Sequence, residues 1–220
     1  MRLLDLFCGA GGAAMGYHRA GFDEITGVDH VPQPRYPFRF VQADALEYVQ
    51  QHGHEFDAIH ASPPCQRFSV STAPHGQNGR AKHPDLIGPV RGLLRQLDCL
   101  WVIENVMGAP MQPPAIMLCG RMFGLRVLRH RWFESNVWLF APDHSPHPAG
   151  MLTNSHRKYD RGESPYVCLA GHNFERHEGA RAIGIDWMTS RRELAQAIPP
   201  AYTQWIGHQL RCILEAEATS

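Results

Sequence analysis

Short apolar runs recur along the first half of the chain, and each ends on a polar residue or a turn signal. LLDLF (3–7) breaks into CGAGG, after which AAMGYHRAG reads as a helix. That order predicts strand, glycine turn and helix. EITGVDH (24–30) and FRFVQAD (38–44) predict two more strands, each closing on an acid. FDAIHAS (56–62) predicts a fourth, ending at Pro63-Pro64, and CLWVIENV (99–106) a fifth. Between these two, QRFSVSTAPHGQNGRAKHPD is polar and predicts a long loop of the kind that usually carries function or disorder. DLIGPVRGLLRQL then predicts a helix. Strands alternating with helices predict an α/β fold with a mostly parallel sheet flanked by helices. Such sheets bind ligands beyond the carboxyl ends of their strands. Asp29, Asp44, Cys65 and Glu104 all fall at predicted strand ends, which collects four polar or reactive groups on one edge.

The texture changes at 141–182, where APDHSPHPAG, TNSHRKYDRGES and GHNFERHEGA are polar and rich in His, Pro and Gly. This predicts a small irregular insert between a main unit, 1–140, and a closing segment, 183–220. In the closing segment Pro199-Pro200 splits two helical stretches. With 220 residues, 44% of them hydrophobic, the chain can bury one sizeable core. No apolar run is long enough to span a membrane, and MRLLDLFCGA does not read as a signal peptide. The expectation is a cytoplasmic protein with no membrane partner. Six cysteines without a CxxC pair argue against a disulfide framework and a zinc ribbon, and fit reduced thiols. The net charge of zero does not announce a nucleic acid. Its distribution says more: residues 121–161 carry seven Arg and Lys against three acids, which suits either a polyanion or a solvated surface.

Four constellations carry candidate chemistry. In DLFCGAGG, Gly9 and Gly11 permit a tight turn and close approach of a ligand at a helix N-terminus. Asp29, 20 residues after Gly9, suits ribose hydroxyls. A glycine turn without a ligand is the bland alternative. In Ser62-Pro63-Pro64-Cys65-Gln66, Cys65 is a small buried hydrophobe or a nucleophile presented at the mouth of a loop. In Ile103-Glu104-Asn105-Val106, Glu104 is a general acid or base-reading group, or a surface acid. In Leu128-Arg129-His130-Arg131-Trp132-Phe133-Glu134, an extended backbone puts Arg129 and Arg131 on one face. That pair suits phosphate or carbonyl oxygens, or marks an exposed strand edge.

Together these stretches resemble the cytosine-C5 methyltransferase family. DLFCGAGG resembles its cofactor loop, PPCQ its nucleophile motif, ENV its glutamate motif and RHRWFE its RxR motif. RRELAQAIPPAYTQWIG resembles the two C-terminal motifs that complete the cofactor pocket. The resemblance implies a Rossmann-like methyltransferase fold in which 1–140 catalyses and binds cofactor, 141–182 stands for target recognition, and 183–220 completes the pocket. It implies methyl transfer from S-adenosyl-L-methionine, leaving S-adenosyl-L-homocysteine, to carbon 5 of a flipped cytosine in duplex or single-stranded DNA. Cys65, Glu104, Arg131 and Arg129 would be the catalytic set. Phe7, Cys8, Gly9, Ala10, Gly11, Asp29, His30, Asp44, Ala45, Pro64, Leu86 and His208 would line the cofactor, with Asp29 on the ribose and Asp44 on the adenine amine.

Two departures from the family pattern stand out. The insert is short, so DNA selectivity would be short, relaxed or absent, and the same chemistry on RNA or free cytidine nucleotides stays open. A non-catalytic nucleic-acid-binding module is the third reading; the intact Cys65, Glu104 and Arg131 set argues against it. Where the family has Gly-Asn after Tyr202, this chain has Gly207-His208; His208 would touch the methionine part of the cofactor or lie on a helix surface. The histidines at 144, 147, 156, 172 and 177, with Cys168, match no common zinc spacing, so no metal is expected. A monomer is expected, and the small size resembles phage versions of the family.

Overall fold

The computed structural model describes residues 1–69, 83–147, 165–169 and 174–219. Most of the predicted polar loop, and His156 and His172, lie outside the described residues. The strands are β1 (Arg2–Leu6), β2 (Glu24–Asp29), β3 (Arg39–Gln42), β4 (Ala58–Ala61), β5 (Leu100–Asn105), β6 (Ala115–Leu118) and β7 (Arg131–Ser135). The helices are α1 (Gly12–Arg19), α2 (Ala45–His52), α3 (Ile87–Leu94), α4 (Arg176–Ile183), α5 (Arg191–Gln196) and α6 (Pro200–Glu217).

The strands form one sheet in the order β3-β2-β1-β4-β5-β7-β6. The pairings β1-β2, β1-β4, β2-β3 and β4-β5 are parallel, while β7 runs antiparallel between β5 and β6. β4 and β5 are buried along their whole length, as strands covered on both faces must be. One face packs Tyr17, Tyr202, Ile206 and Leu210 of α1 and α6. The other packs Val49, Ile87, Val90 and Leu94 of α2 and α3. A third cluster gathers Ile183, Met188 and Leu194 around α4 and α5.

Three outcomes refine the sequence reading. β7, weighed as an edge strand, is interior, and a buried ion pair fixes it: Arg91 Nε donates to Glu134 Oε1 at 2.5 Å and Nη2 to Oε2 at 2.8 Å. β6 is only four residues long and directly follows Pro113-Pro114, so it does not announce itself in the sequence. The end of the segment predicted to be irregular is helix α4. Glu175 caps its start through Glu178 N, Gly184 ends it in the left-handed region, and Ala180, Ala182 and Ile183 are buried.

Candidate active site

Parallel β1, β2, β4 and β5 all deliver their carboxyl ends to one edge. After β1 the chain turns sharply. Phe7 has φ 57°, Gly9 49° and Gly11 82°. Phe7 is the single non-glycine residue with positive φ among the described residues, a conformation usually held by its surroundings. The two glycines differ in purpose. A Cβ on Gly11 would meet Pro37 Cδ at 2.6 Å, so that space is filled by the protein itself. A Cβ on Gly9 would meet nothing within 4 Å, which leaves its face open to a ligand.

Asp29, at the end of β2, holds this turn. Its Oδ2 accepts from Gly9 N at 3.1 Å and its Oδ1 from Val31 N at 3.0 Å, with the exposed His30 ring 3.2 Å away. Asp44 is exposed and caps α2, its Oδ1 accepting from Leu46 N and Glu47 N, with Ala45 buried behind it. Cys8 and Ala10 are buried in the turn; Cys8 N donates to Val28 O at 3.1 Å, and burial pushes the Cys8 thiol far up. Leu86 stands half-buried at the start of α3.

The second loop leaves β4 through Ser62. Ser62 N donates to Leu6 O at 3.1 Å, which ties the loop to β1. The buried Asn105 donates from Nδ2 to Pro63 O at 2.9 Å while its Oδ1 accepts from Val106 N. This clamp and the two prolines fix the backbone immediately before Cys65. Cys65 O then accepts from Phe68 N and Ser69 N, turning the chain away.

Glu104 is buried on β5, and Arg131 Nε lies 2.9 Å from its Oε1. The pair is in ionic contact, but the N–H is not aimed at that oxygen, which has no aligned donor. Burial raises the Glu104 carboxyl above the usual range; Arg131, a Ser62 hydrogen bond and Arg129 pull the other way. Burial likewise raises the Cys65 thiol, opposed by Arg131 and Arg129 and helped by Glu104. The carboxyl and the thiol thus answer to the same two guanidinia, so an acidic group and a candidate nucleophile are electrostatically coupled at this edge.

The two arginines are not equivalent. Arg129 is spent on the end of α5, donating to the carbonyls of Leu194 and Ala195. Burial and the neighbouring Arg131 lower it to about 9, still cationic at neutral pH. Its own carbonyl accepts from Tyr202 Oη at 2.5 Å, which anchors the segment to α6.

His208 is not brought to the site. α1 and α6 pack in parallel, with Gly12 against Ala197 and Ile198, Gly16 against Thr203, and Gly207 against Ala20 and Tyr17. His208 is therefore exposed near the far end of α1, about 12 Å along the helix from Pro200. The segment that reaches the glycine turn is Ala197-Ile198, together with Trp187, whose Nε1 donates to Ala10 O at 2.8 Å.

Residues 1–111 match the family described as C-5 cytosine-specific DNA methylase. The chain belongs to that family. Among curated members, it is 28% identical to the type II methyltransferase M.AquIA of Picosynechococcus over 122 residues, 49% of each chain. It is 28% identical to M.AgeI of Thalassovita gelatinovora over 49% of this chain and 28% of that one. The chain thus spans about half, or less, of the curated relatives it matches. Among solved structures, it superposes with TM-score 0.66 and 17% identity on a protein described as a DNA modification methyltransferase of an E. coli prophage, over 98% of this chain and 99% of that one. The Dnmt2 methyltransferase of S. pombe superposes with TM-score 0.60 and 14% identity over 98% of both. These superpositions establish the Rossmann-like methyltransferase fold.

Sequence reasoning missed several supports of this candidate site. Asn105 stands within ENV, but nothing local reveals that its amide clamps Pro63. His60 reads in the sequence only as part of a strand. It is buried, its Nδ1 3.0 Å from Tyr17 Oη and its Nε2 2.9 Å from Ser62 Oγ, so it orients the serine that bonds Glu104. A histidine in an otherwise apolar run, two residues before a loop serine, was the available signal.

Proposed function

We propose that the protein transfers a methyl group from S-adenosyl-L-methionine to carbon 5 of cytosine in DNA, through a covalent bond between Cys65 and carbon 6. The observation that carries this reading is the Glu104–Arg131 contact at 2.9 Å, coupled electrostatically to Cys65 at the carboxyl edge of the sheet. The cofactor fits the glycine turn because the face at Gly9 is open. Phe7, Cys8, Gly9, Ala10, Asp29, His30, Asp44, Ala45, Pro64 and Leu86 would surround it, Asp29 toward the ribose and the free oxygen of Asp44 toward the adenine amine. When bound, it supplies an electrophilic methyl group.

The chain's own residues do the rest. The Cys65 thiolate adds to carbon 6, and the electrons of the 5,6 double bond move toward ring N3, which shares a proton with the Glu104 carboxyl. Arg131 holds the O2 side and favours the thiolate. The electron-rich carbon 5 would take the methyl group as the methyl–sulfur bond breaks; the carbon-5 proton then passes to water, and its electron pair restores the 5,6 double bond and expels Cys65 as thiolate. A base inside a duplex must first be flipped out. The division into 1–140, 141–182 and 183–220 follows from this reading, with the last segment closing the site through Ile198, Tyr202 and α6.

The test presents duplex DNA, single-stranded DNA, RNA and free cytidine nucleotides with the cofactor, then analyses nucleosides by mass spectrometry. 5-Methylcytosine in DNA, absent with Cys65→Ser, is the expected result. Methylation confined to RNA or nucleotides would replace the substrate; no product from any substrate, despite cofactor binding, would overturn the reading.

A further inference from the structure

Cys119, His130, His144 and His147 form a cluster outside the catalytic set. Each offers one ligand atom, and all four atoms lie within 4.8 Å of one another. Cys119 Sγ is 3.3 Å from His147 Nε2, and His144 Nε2 is 3.1 Å from the same nitrogen. The three imidazoles stand 4.7 to 5.4 Å apart, centroid to centroid.

A hydrogen-bonded cluster explains this poorly. An imidazole nitrogen carries either one hydrogen or one lone pair, so His147 Nε2 cannot make two full-strength bonds, to Cys119 and to His144. A central cation uses all four lone pairs at once. Zinc–nitrogen and zinc–sulfur bonds of about 2.0–2.3 Å imply tetrahedral edges of about 3.3–3.8 Å. The two short separations are close to that range, and small side-chain rotations would close the rest. Thiolate and imidazole donors in a four-fold set select zinc over magnesium or calcium.

The fold prepares the site. Leu118 of β6 is in register with Arg131 of β7, so Cys119 and His130 follow as the next cross-strand neighbours. Arg121 Nη1 donates to Pro146 O at 2.9 Å, holding the chain between His144 and His147 against the same corner. We propose that these four residues bind one structural zinc ion, which staples the start of the 141–182 insert to the strand that carries Arg131. No sequence spacing displays the set, because two of its members lie outside the histidine-rich insert. The proposal stands whether or not the methyl-transfer reading holds.

Untagged protein, produced with zinc sulfate in the medium and dialysed against metal-free buffer, would be assayed for metal by plasma mass spectrometry. About one zinc per chain is expected for the wild type, and less than about half of that for His144→Ala and Cys119→Ser. His144 is exposed, so His144→Ala should keep its circular dichroism and separate ligand loss from misfolding. Substitution with cobalt(II) should give visible tetrahedral absorption with a thiolate charge-transfer band that Cys119→Ser removes. Wild type that holds less than about a tenth of an equivalent, even after added zinc sulfate, would overturn the proposal. So would zinc retained in full by both variants, which would place the metal elsewhere.

Discussion

Cys65 is a thiol whose neighbours pull its acidity in opposite directions. Burial raises it, Arg131 and Arg129 lower it, and Glu104 raises it again. The free protein should therefore hold Cys65 mostly as thiol at pH 8 and alkylate it slowly with iodoacetamide. Removing each neighbour should move the rate in its own direction. Glu104→Gln removes a negative charge, lowers the Cys65 pKa and speeds alkylation. Arg131→Ala removes a positive one, raises the pKa and slows it. Because the rate follows the thiolate fraction, each change should be roughly threefold to tenfold. Mass-spectrometric time courses of the modified Cys65 peptide would check both; equal rates in the two variants would contradict the coupling.

Among the elements, α1 and α6 bring the two ends of the sequence together. Their close approach depends on Gly16, where a Cβ would meet Thr203 Oγ1 at 2.0 Å and Pro200 O at 2.2 Å. The Thr203 hydroxyl donates to Ala13 O at 2.8 Å in the same contact. Gly16→Ala should destabilise the protein by about 1–3 kcal/mol, or more if the helices must separate. Gly92, exposed on α3, has nothing within 4 Å of a new Cβ. Gly92→Ala should stabilise by about 0.5–1 kcal/mol, because alanine loses less backbone freedom on folding. Urea midpoints of the two variants should move to opposite sides of wild type.

Across the whole molecule, two buried groups set opposing pH dependences. Asp5 is fully buried, its Oδ1 unpartnered and its Oδ2 accepting from Tyr36 Oη at 3.2 Å, and burial raises it to about 7. Between pH 4 and 7 the folded state keeps that proton and the unfolded state loses it, so stability falls as pH rises, by roughly 4 kcal/mol in total. Burial lowers His60 to about 3. Between pH 3 and 6.5 the unfolded state binds the extra proton, so stability rises with pH, by roughly 5 kcal/mol. The two slopes nearly cancel between pH 4 and 6.5. Relative to wild type, Asp5→Asn should make stability climb with pH in that window, and His60→Asn should make it fall. Denaturant titrations at several pH values would read the tilt; parallel profiles for all three proteins would refute it. No helix among the described residues is long and apolar enough to cross a membrane.

The alternation of apolar runs with helical stretches determined the sheet, because a strand buried on both faces must be apolar along its length. Those same runs end where Asp29, Cys65 and Glu104 stand, so the gathering of these groups at one sheet edge was legible as well. The sequence did not determine which residues hold that edge in place. Asn105 clamps Pro63 from 42 positions away, and His60 reaches Tyr17 across 43. Contacts of that separation leave no local periodicity. The packing of α1 on α6 also decided against His208, since the helix rise carries it past the glycine turn that Ala197 and Ile198 reach. The grouping of Cys119 and His130 with His144 and His147 arises only when β6 and β7 pair. Spacing along a chain reports neighbours within an element; neighbours across elements exist only once the sheet has closed its register.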